Sequence, residues 1–327
     1  MSIGASNPHG PVRWGILGTG DITRSLLKGA RRTDAVEIVA VGSRTAERAN
    51  AHAAEHGIAR AHPSYEALLA DPDVEAVYVS LPNSLHHPWT MRALAAGKHV
   101  LCEKPYSRRS ADVTSAFDAA EHAGLVLCEG FMWRHHPQAR MIVDLLPELG
   151  ELQTIRATFS FVLDRPNDIR LRSDLDGGSL MDVGTYCVSG ARLLTGEEPD
   201  LVFGTQVVGP SGVDVRFNGL LHFPGGAVAE IMSSFETDHR GLEAIGSDGS
   251  ARLTNPWLPD DPDPTLIRDG VETPIAFSDP YQLELENISA AIREGRRPLL
   301  GRTDALGQAR AIEALYRSAD TGLPVRL

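Results

Sequence analysis

Three residues have the types and the spacing to move a proton. Lys104 sits in Glu103-Lys104-Pro105, where the apolar run over 99–102 stops abruptly. Asp182 and Tyr186 lie four residues apart in Gly177-Gly178-Ser179-Leu180-Met181-Asp182-Val183-Gly184-Thr185-Tyr186. On a helix, i and i+4 side chains share a face, so a carboxylate and a phenol project together. A nearby ammonium favours the phenolate and lowers a phenol's pKa. Tyr186 is therefore the candidate acid/base and Lys104 the charge that tunes it and orients a substrate hydroxyl. Asp182 positions a substrate hydroxyl or the tyrosine. The local alternatives are a solvated lysine and a buried Asp–Tyr hydrogen bond that serves structure alone.

A second set reads as a dinucleotide cradle. Gly18-Thr19-Gly20-Asp21-Ile22 follows the first apolar run and opens a helix, where small residues admit a pyrophosphate and first-turn N–H groups face it. The third glycine of the usual fingerprint is Thr23. The second apolar run ends in Gly42-Ser43-Arg44, with a hydroxyl and a guanidinium where an NAD site carries an acid. That pair matches a ribose 2′-phosphate, so NADP is expected, with NAD as the alternative; Ser43 or Thr45 reads equally as a helix cap. Leu81-Pro82-Asn83-Ser84-Leu85-His86 ends the third run, placing Asn83 and His86 to bond nicotinamide or ribose, or Asn83 to cap a helix. Glu103 joins the expected cofactor contacts. Arg134, His135, Asp168, Arg170 and Tyr281 are weaker candidates for the pocket wall.

The elements that must position these groups follow from periodicity. Apolar runs at 12–17, 37–41, 76–81, 99–102 and 125–128 alternate with amphipathic stretches at 22–30, 46–56, 65–69, 88–96 and 110–122, with Gly29, Gly57, Gly97 and Gly124 near their ends. Strand and helix in alternation imply an α/β fold of Rossmann type, a doubly wound parallel sheet with helices on both faces. After Gly130 the rhythm changes. A helix over 136–146, a strand over 153–161 and a helix over 179–194 precede strands at 201–208, 215–223, 227–235, 240–246 and 251–254, the run continuing to about 275. Turn signals join them, so this part is an α/β domain with a large, mostly antiparallel open sheet. Residues 258–264, with three acids among three prolines, read as a solvated loop, and helices over 281–293 and 303–319 close the chain. The division expected is 1–130 for the dinucleotide and 131–327 for substrate.

Composition narrows the partners. With 31 Lys+Arg against 43 Asp+Glu the net charge is −12, which disfavours nucleic acid and anionic membranes. A small-molecule substrate fits better. No basic-then-apolar leader and no long apolar span appear, so a cytoplasmic protein is expected. Cys102, Cys128 and Cys187 have no Cys-x-x-Cys spacing and read as buried thiols. The pairs His86-His87 and His135-His136 diverge on a helix, and no metal site is expected.

Together these motifs resemble the Gfo/Idh/MocA family, that of glucose–fructose oxidoreductase, inositol dehydrogenase and rhizopine catabolism. The resemblance implies a Rossmann domain, a C-terminal α/β domain whose open sheet forms a homodimer or homotetramer interface, and an active site in the cleft between the domains. Many members carry histidine where this chain has Tyr186. Tyrosine there is similar to a branch of NADP-dependent dihydrodiol dehydrogenases, D-xylose dehydrogenases, glucose–fructose oxidoreductase and deoxysugar 3-ketoreductases. Trp133-Arg134 and Ser43-Arg44 are similar to that branch too, which adds Trp133 and Arg134 to the cofactor contacts. The implied reaction is hydride transfer between NADP and a sugar or cyclic diol. The other readings are a nucleotide-deoxysugar 3-ketoreductase and a non-catalytic NADP-sensing regulator.

Overall fold

The computed structural model describes residues 10–258 and 264–327. Of the acidic loop expected over 258–264, residues 259–263 lie outside the described ones.

The first of two compact units is built on a six-stranded sheet: β1 (Val12–Leu17), β2 (Val36–Gly42), β3 (Arg60–His62), β4 (Ala76–Val79), β5 (His99–Glu103) and β6 (Leu127–Gly130). All pairs are parallel and the order is β3-β2-β1-β4-β5-β6, the doubly wound arrangement that opens a crevice at the carboxyl ends where the order reverses. Helices α1 (Ile22–Ala30), α2 (Ala46–His56), α3 (Tyr65–Leu69), α4 (His86–Ala95) and α5 (Ser110–Ala123) make the connections. Covered on both faces, the strands run continuously apolar: Ile16, Leu17, Val77, Tyr78, Val79, Val100 and Leu101 are fully buried. Strand β3 was not expected. Its three half-buried residues are too few to show alternation, and it exists by pairing with β2.

The unit also takes back Pro280–Ala305, which the division at residue 130 assigned to the second domain. Gly29 explains the return. A Cβ there would stand 2.6 Å from the Gln282 backbone nitrogen, so α1 accepts α8 (Pro280–Glu294) at backbone contact. Arg293 then donates to Glu75 at 2.7 Å and to the Pro11 carbonyl at 2.8 Å.

The second unit comprises Ser107–Ser110, Trp133–Asp279 and Leu306–Leu327. After α6 (Pro137–Leu145) come β7 (Leu152–Ser160), a π-helical turn (Leu180–Gly184) and α7 (Thr185–Thr195). Strands β8 (Leu201–Val208), β9 (Asp214–His222), β10 (Val228–Ser234), β11 (His239–Gly246), β12 (Ser250–Leu253), β13 (Thr265–Arg268) and β14 (Val271–Pro274) follow, and β15 (Val325–Arg326) comes after α9 (Arg302–Thr321). The nine strands order as β14-β13-β12-β11-β7-β10-β9-β8-β15. Only β7 and β10 pair in parallel; the other pairs are antiparallel. Alternation along β9 buries Phe217, Gly219 and Leu221 and exposes Asn218 and Leu220. Strand β15 was missed because two residues carry no pattern.

The three cysteines are buried and unpaired, and burial pushes each thiol's pKa up. No helix among the described residues is long and apolar enough to cross a membrane.

The Arg293–Glu75 contact makes stability depend on pH. The guanidinium, against the cost of burial, holds the Glu75 carboxyl down at about 2. A depressed carboxylate stabilises the fold above its unfolded value and loses that contribution as pH falls through the folded one. Glu75→Gln should therefore cost about 1 kcal/mol at neutral pH, a figure discounted for solvent exposure. Urea melts should show the gap at full size above about pH 5 and narrowing as pH falls toward about 2.

Candidate active site

In the first unit the expected cradle forms at the carboxyl edge. Gly18 has φ +110°, and a Cβ on it would stand 2.9 Å from the Ser80 carbonyl. Its N–H donates to Gly42 O at 3.0 Å, so the turn threads between the ends of β2 and β4 with no room for a side chain. Thr23 at the third-glycine place is fully buried; its hydroxyl donates to Gly20 O at 2.7 Å and meets His52 Nε2 at 3.3 Å. Threonine thus ties the turn to α2 instead of merely leaving space. Thr19 and Ile22 are half-exposed, Gly20 and Asp21 exposed, and Leu81 lies against Gly18.

At the end of β2, Ser43 is buried and Arg44 exposed. The cap of α2 is Thr45, whose hydroxyl accepts from Arg48 N at 3.3 Å, which leaves Arg44 outside the helix. Pro82 leads a 3-10 turn over Asn83–Leu85, and Asn83 does not cap α4. An exposed cation, an open glycine cradle and a helix N-terminus fit a phosphorylated dinucleotide.

Lys104 is half-exposed and follows β5; its peptide bond to Pro105 is cis. Two neighbours expected at the cofactor, His86 and Glu103, also make contacts within the unit. His86 is buried, with Nδ1 2.8 Å from Pro105 O and Nε2 2.7 Å from Leu81 O. The ring bridges the two corners that carry Asn83 and Lys104. The Glu103 carboxylate accepts from the hydroxyl of fully buried Tyr78 and from the Lys104 N–H. Tyr281, expected at the pocket wall, is buried where α8 meets Gly29.

In the second unit the helix expected over 179–194 has two parts. The Thr185 N–H bonds Leu180 O, a π-type i→i−5 bond, before α7 becomes regular. Burial of this start is made possible by Asp214, which accepts from Leu180 N at 2.7 Å, Ser179 Oγ at 2.8 Å and the Tyr316 hydroxyl at 2.8 Å. Burial pushes the Asp214 carboxyl up while these bonds pull it down. Asp182 is held by Arg170 Nε at 2.7 Å, and Asp168 takes Nη1 of the same guanidinium at 3.2 Å. Asp182 first, then Asp168, raises the Arg170 pKa further.

Tyr186, 6% exposed, stands in an aromatic box. Phe159 meets it edge-on at 5.3 Å and Trp257 lies tilted at 6.0 Å. Trp257 is fixed by its indole N–H to Thr158 O at 2.7 Å and by Trp133 edge-on at 5.0 Å. Trp133 is fully buried in that stack, where it supports the box around Tyr186, and its indole N–H is buried with no hydrogen-bond partner among the described residues. Arg134 donates to Ser189 Oγ on α7 at 3.3 Å, and burial, then Arg134, lowers His135 to about 3. Phe159, Trp257 and Asp214 were not anticipated; isolated aromatics and one acid at a strand start leave no spacing signal.

A parallel sheet in doubly wound order with a glycine cradle, and a polar helix face carrying a phenol, define a nicotinamide-dinucleotide oxidoreductase. Residues 12–131 match the model of the oxidoreductase family with an NAD-binding Rossmann fold, GFO_IDH_MocA, and residues 141–252 match the GFO/IDH/MocA C-terminal domain. The chain belongs to the Gfo/Idh/MocA family. It is 40% identical over 325 residues to a D-xylose 1-dehydrogenase (NADP(+)) of Haloferax volcanii, covering 97% of this chain and 100% of the relative. Among solved structures it is similar to an aldose-aldose oxidoreductase from Caulobacter crescentus complexed with glycerol. That match has TM-score 0.89 and 32% identity over 97% of this chain and 100% of that one. It is also similar to a 3-ketoreductase from Actinomadura kijaniata in complex with NADP and TDP-benzene, with TM-score 0.90 and 31% identity over 94% and 98% of the two chains.

One glycine in each unit gives a separate test. Gly18→Ala should weaken dinucleotide binding by about 10-fold or more, because strained φ and a backbone clash cost about 1–3 kcal/mol. Gly178→Ala, whose Cβ would stand 2.1 Å from Asp214 Oδ1 at φ +125°, should lower turnover while dinucleotide affinity stays near wild type. Fluorescence titration with the reduced cofactor and a steady-state assay check both.

Proposed function

We propose that this protein is an NADP-dependent dehydrogenase or reductase acting on a hydroxyl or keto carbon of a sugar or cyclic diol, of the D-xylose or dihydrodiol dehydrogenase kind. The observation that carries the reading is Tyr186 in its aromatic box, on the helix whose preceding turn presents Asp182 under the Arg170 clamp. The named activities of the xylose dehydrogenase and the aldose oxidoreductase support the substrate class.

In this reading Gly18, Thr19, Gly20, Asp21 and Ile22 hold the pyrophosphate, Ser43 and Arg44 the 2′-phosphate, and Leu81, Pro82 and Asn83 the nicotinamide side. When bound, the nicotinamide supplies the carbon that accepts or donates hydride. Tyr186 Oη takes the proton from the substrate hydroxyl during oxidation and returns it during reduction. Lys104 supplies the positive charge that makes the phenolate accessible and orients the hydroxyl; Asp182 accepts from a neighbouring hydroxyl. The apolar ring walls exclude water from the phenol, which strengthens each of these electrostatic effects.

A panel of aldoses and vicinal diols with NADP⁺ and NAD⁺ in parallel tests this. Tyr186→Phe should cut kcat by about 10²–10⁴-fold, the usual worth of a placed acid/base, and leave NADP⁺ affinity nearly unchanged. Arg44→Ala should raise the Kd for NADP⁺ by about 10-fold or more, since a charge-assisted phosphate contact is worth about 1.5–3 kcal/mol, with little effect on NAD⁺. A clear preference of the wild type for NAD⁺ would overturn the role given to Ser43 and Arg44. The likeness to the 3-ketoreductase with TDP-benzene favours a second reading, a nucleotide-linked keto-sugar reductase; turnover of that substrate but no free aldose would select it. Dinucleotide binding with no turnover of either would select a sensor.

The outer face of the nine-stranded sheet, with Leu220 and Val207 about half exposed, supports a homodimer or homotetramer joined there. Sedimentation of wild type and Leu220→Lys tests it, the charge being expected to yield monomer.

A further inference from the structure

The start of α7 has a second anchor besides Asp214, and it acts on the peptide that carries Tyr186. Gln308, on α9, is buried; its Nε2 donates to Thr185 O at 2.7 Å and to Thr185 Oγ1 at 3.0 Å. Thr185 O belongs to the planar unit that runs from Thr185 Cα to Tyr186 Cα, so a donor fixed on that oxygen sets the place and tilt of the next residue. On its other side Thr185 gives its N–H to Leu180 O, which holds the residue at both of its peptide groups. The amide of Gln308 is itself held. Its Oε1 accepts from Arg192 Nη1 at 3.1 Å, and buried Arg192 grips Glu198 with Nε at 2.7 Å and Nη2 at 2.6 Å. A guanidinium carries donors only, so it must face the amide oxygen, and the amide NH₂ is thereby turned to Thr185. Helix α9 comes this close because Gly307 has no side chain: a Cβ there would collide with Glu198 Oε1 and Arg192 Nη2. Every residue of this relay lies in the second unit.

We propose that Gln308 is a positioning residue for Tyr186, and that Arg192 with Glu198 keeps its amide in the donating orientation. Phe159 and Trp257 limit where the phenol ring can go, but ring contacts are non-directional and let a ring shift with its backbone. The Gln308 bond to the Thr185 carbonyl removes that freedom at the backbone. A reacting group displaced by about 1 Å can lose about 10²-fold in rate, so the relay matters to turnover even though it acts through another residue. That consequence rests on the reading of Tyr186 as the proton-exchanging group; the placement of the ring does not.

The test compares Gln308→Met, which removes donor and acceptor at nearly constant length, with Gln308→Glu, which is isosteric, keeps an oxygen for Arg192 and puts an acceptor where the donor stood. In near-ultraviolet circular dichroism of the full chain, the tyrosine band that Tyr186→Phe removes should be largely lost in both variants. With D-xylose and NADP⁺, kcat should fall by about 10-fold or more while KM for NADP⁺ stays within about 2-fold of wild type. In the Tyr186→Phe background the same substitutions should cost less than about 2-fold in kcat, because the group they position has gone, whereas their effect on Tm should persist there. A kcat loss that keeps its full size in that background gives Gln308 a general structural role and overturns the proposal. A wild-type tyrosine band with wild-type kcat in both variants overturns it too, and the proposed function then stands as long as Tyr186→Phe itself loses turnover. Should Gln308→Met fail to fold, the isosteric Gln308→Glu decides alone. A tyrosine band lost in both variants of a chain that oxidises no sugar keeps the placement by Gln308 and overturns the function.

Discussion

A single buried carboxylate, Asp214, holds the second unit's polar helix face in place. Three donors converge on it from a serine, a backbone N–H and a tyrosine. Hydrogen bonds to a charged group contribute about 1.5–3 kcal/mol each, and a buried helix start without such partners would leave its first N–H groups orphaned. Because the anchor lies at Ser179 and Leu180, it fixes the axial position of the π turn. Asp182 and Tyr186 take their places from that turn. Gly178 is the counterpart of the same constraint: only a residue without Cβ lets Asp214 come this close.

The site residues are then restrained sideways by two different materials. Charge restrains Asp182, through Arg170 and behind it Asp168. Aromatic packing restrains Tyr186, where Phe159, Trp257 and Trp133 form a chain of ring contacts ending in the Trp257 hydrogen bond to β7. The first unit applies the same division. His86 and Glu103 brace the chain around Asn83 and Lys104.

Much of the architecture was legible in the residues. Parallel strands betrayed themselves as continuous apolar runs, antiparallel ones by alternation, and the bounds came out within about two residues where a run was long. Strand β8 was read at its observed bounds, 201–208. Strands β3 and β15 were invisible because three and two residues carry no periodicity. The return of α8 to the first unit was equally hidden: Gly29 looked like a helix stop, whereas it is where the Tyr281–Gln282 backbone packs. Motif spacing singled out Gly18, Lys104, Asp182 and Tyr186, but carried no sign of the internal contacts that His86, Glu103 and Trp133 make. Each is adjacent in sequence to a residue of the cradle or site and turned inward in the fold.

By itself the sequence determined the class of fold, the glycine turn and the membership of the Gfo/Idh/MocA family, because these depend on local spacing that the chain carries everywhere with it. Only the tertiary structure decided which polar groups are spent on support, as His86, Glu103 and Asp214 are, and which aromatic rings wall the phenol. Those roles depend on contacts between residues as distant in sequence as Trp257 and Tyr186 or Tyr316 and Asp214. Burial, which forces every buried polar group to find a partner, is a property of the packed chain and of no segment alone.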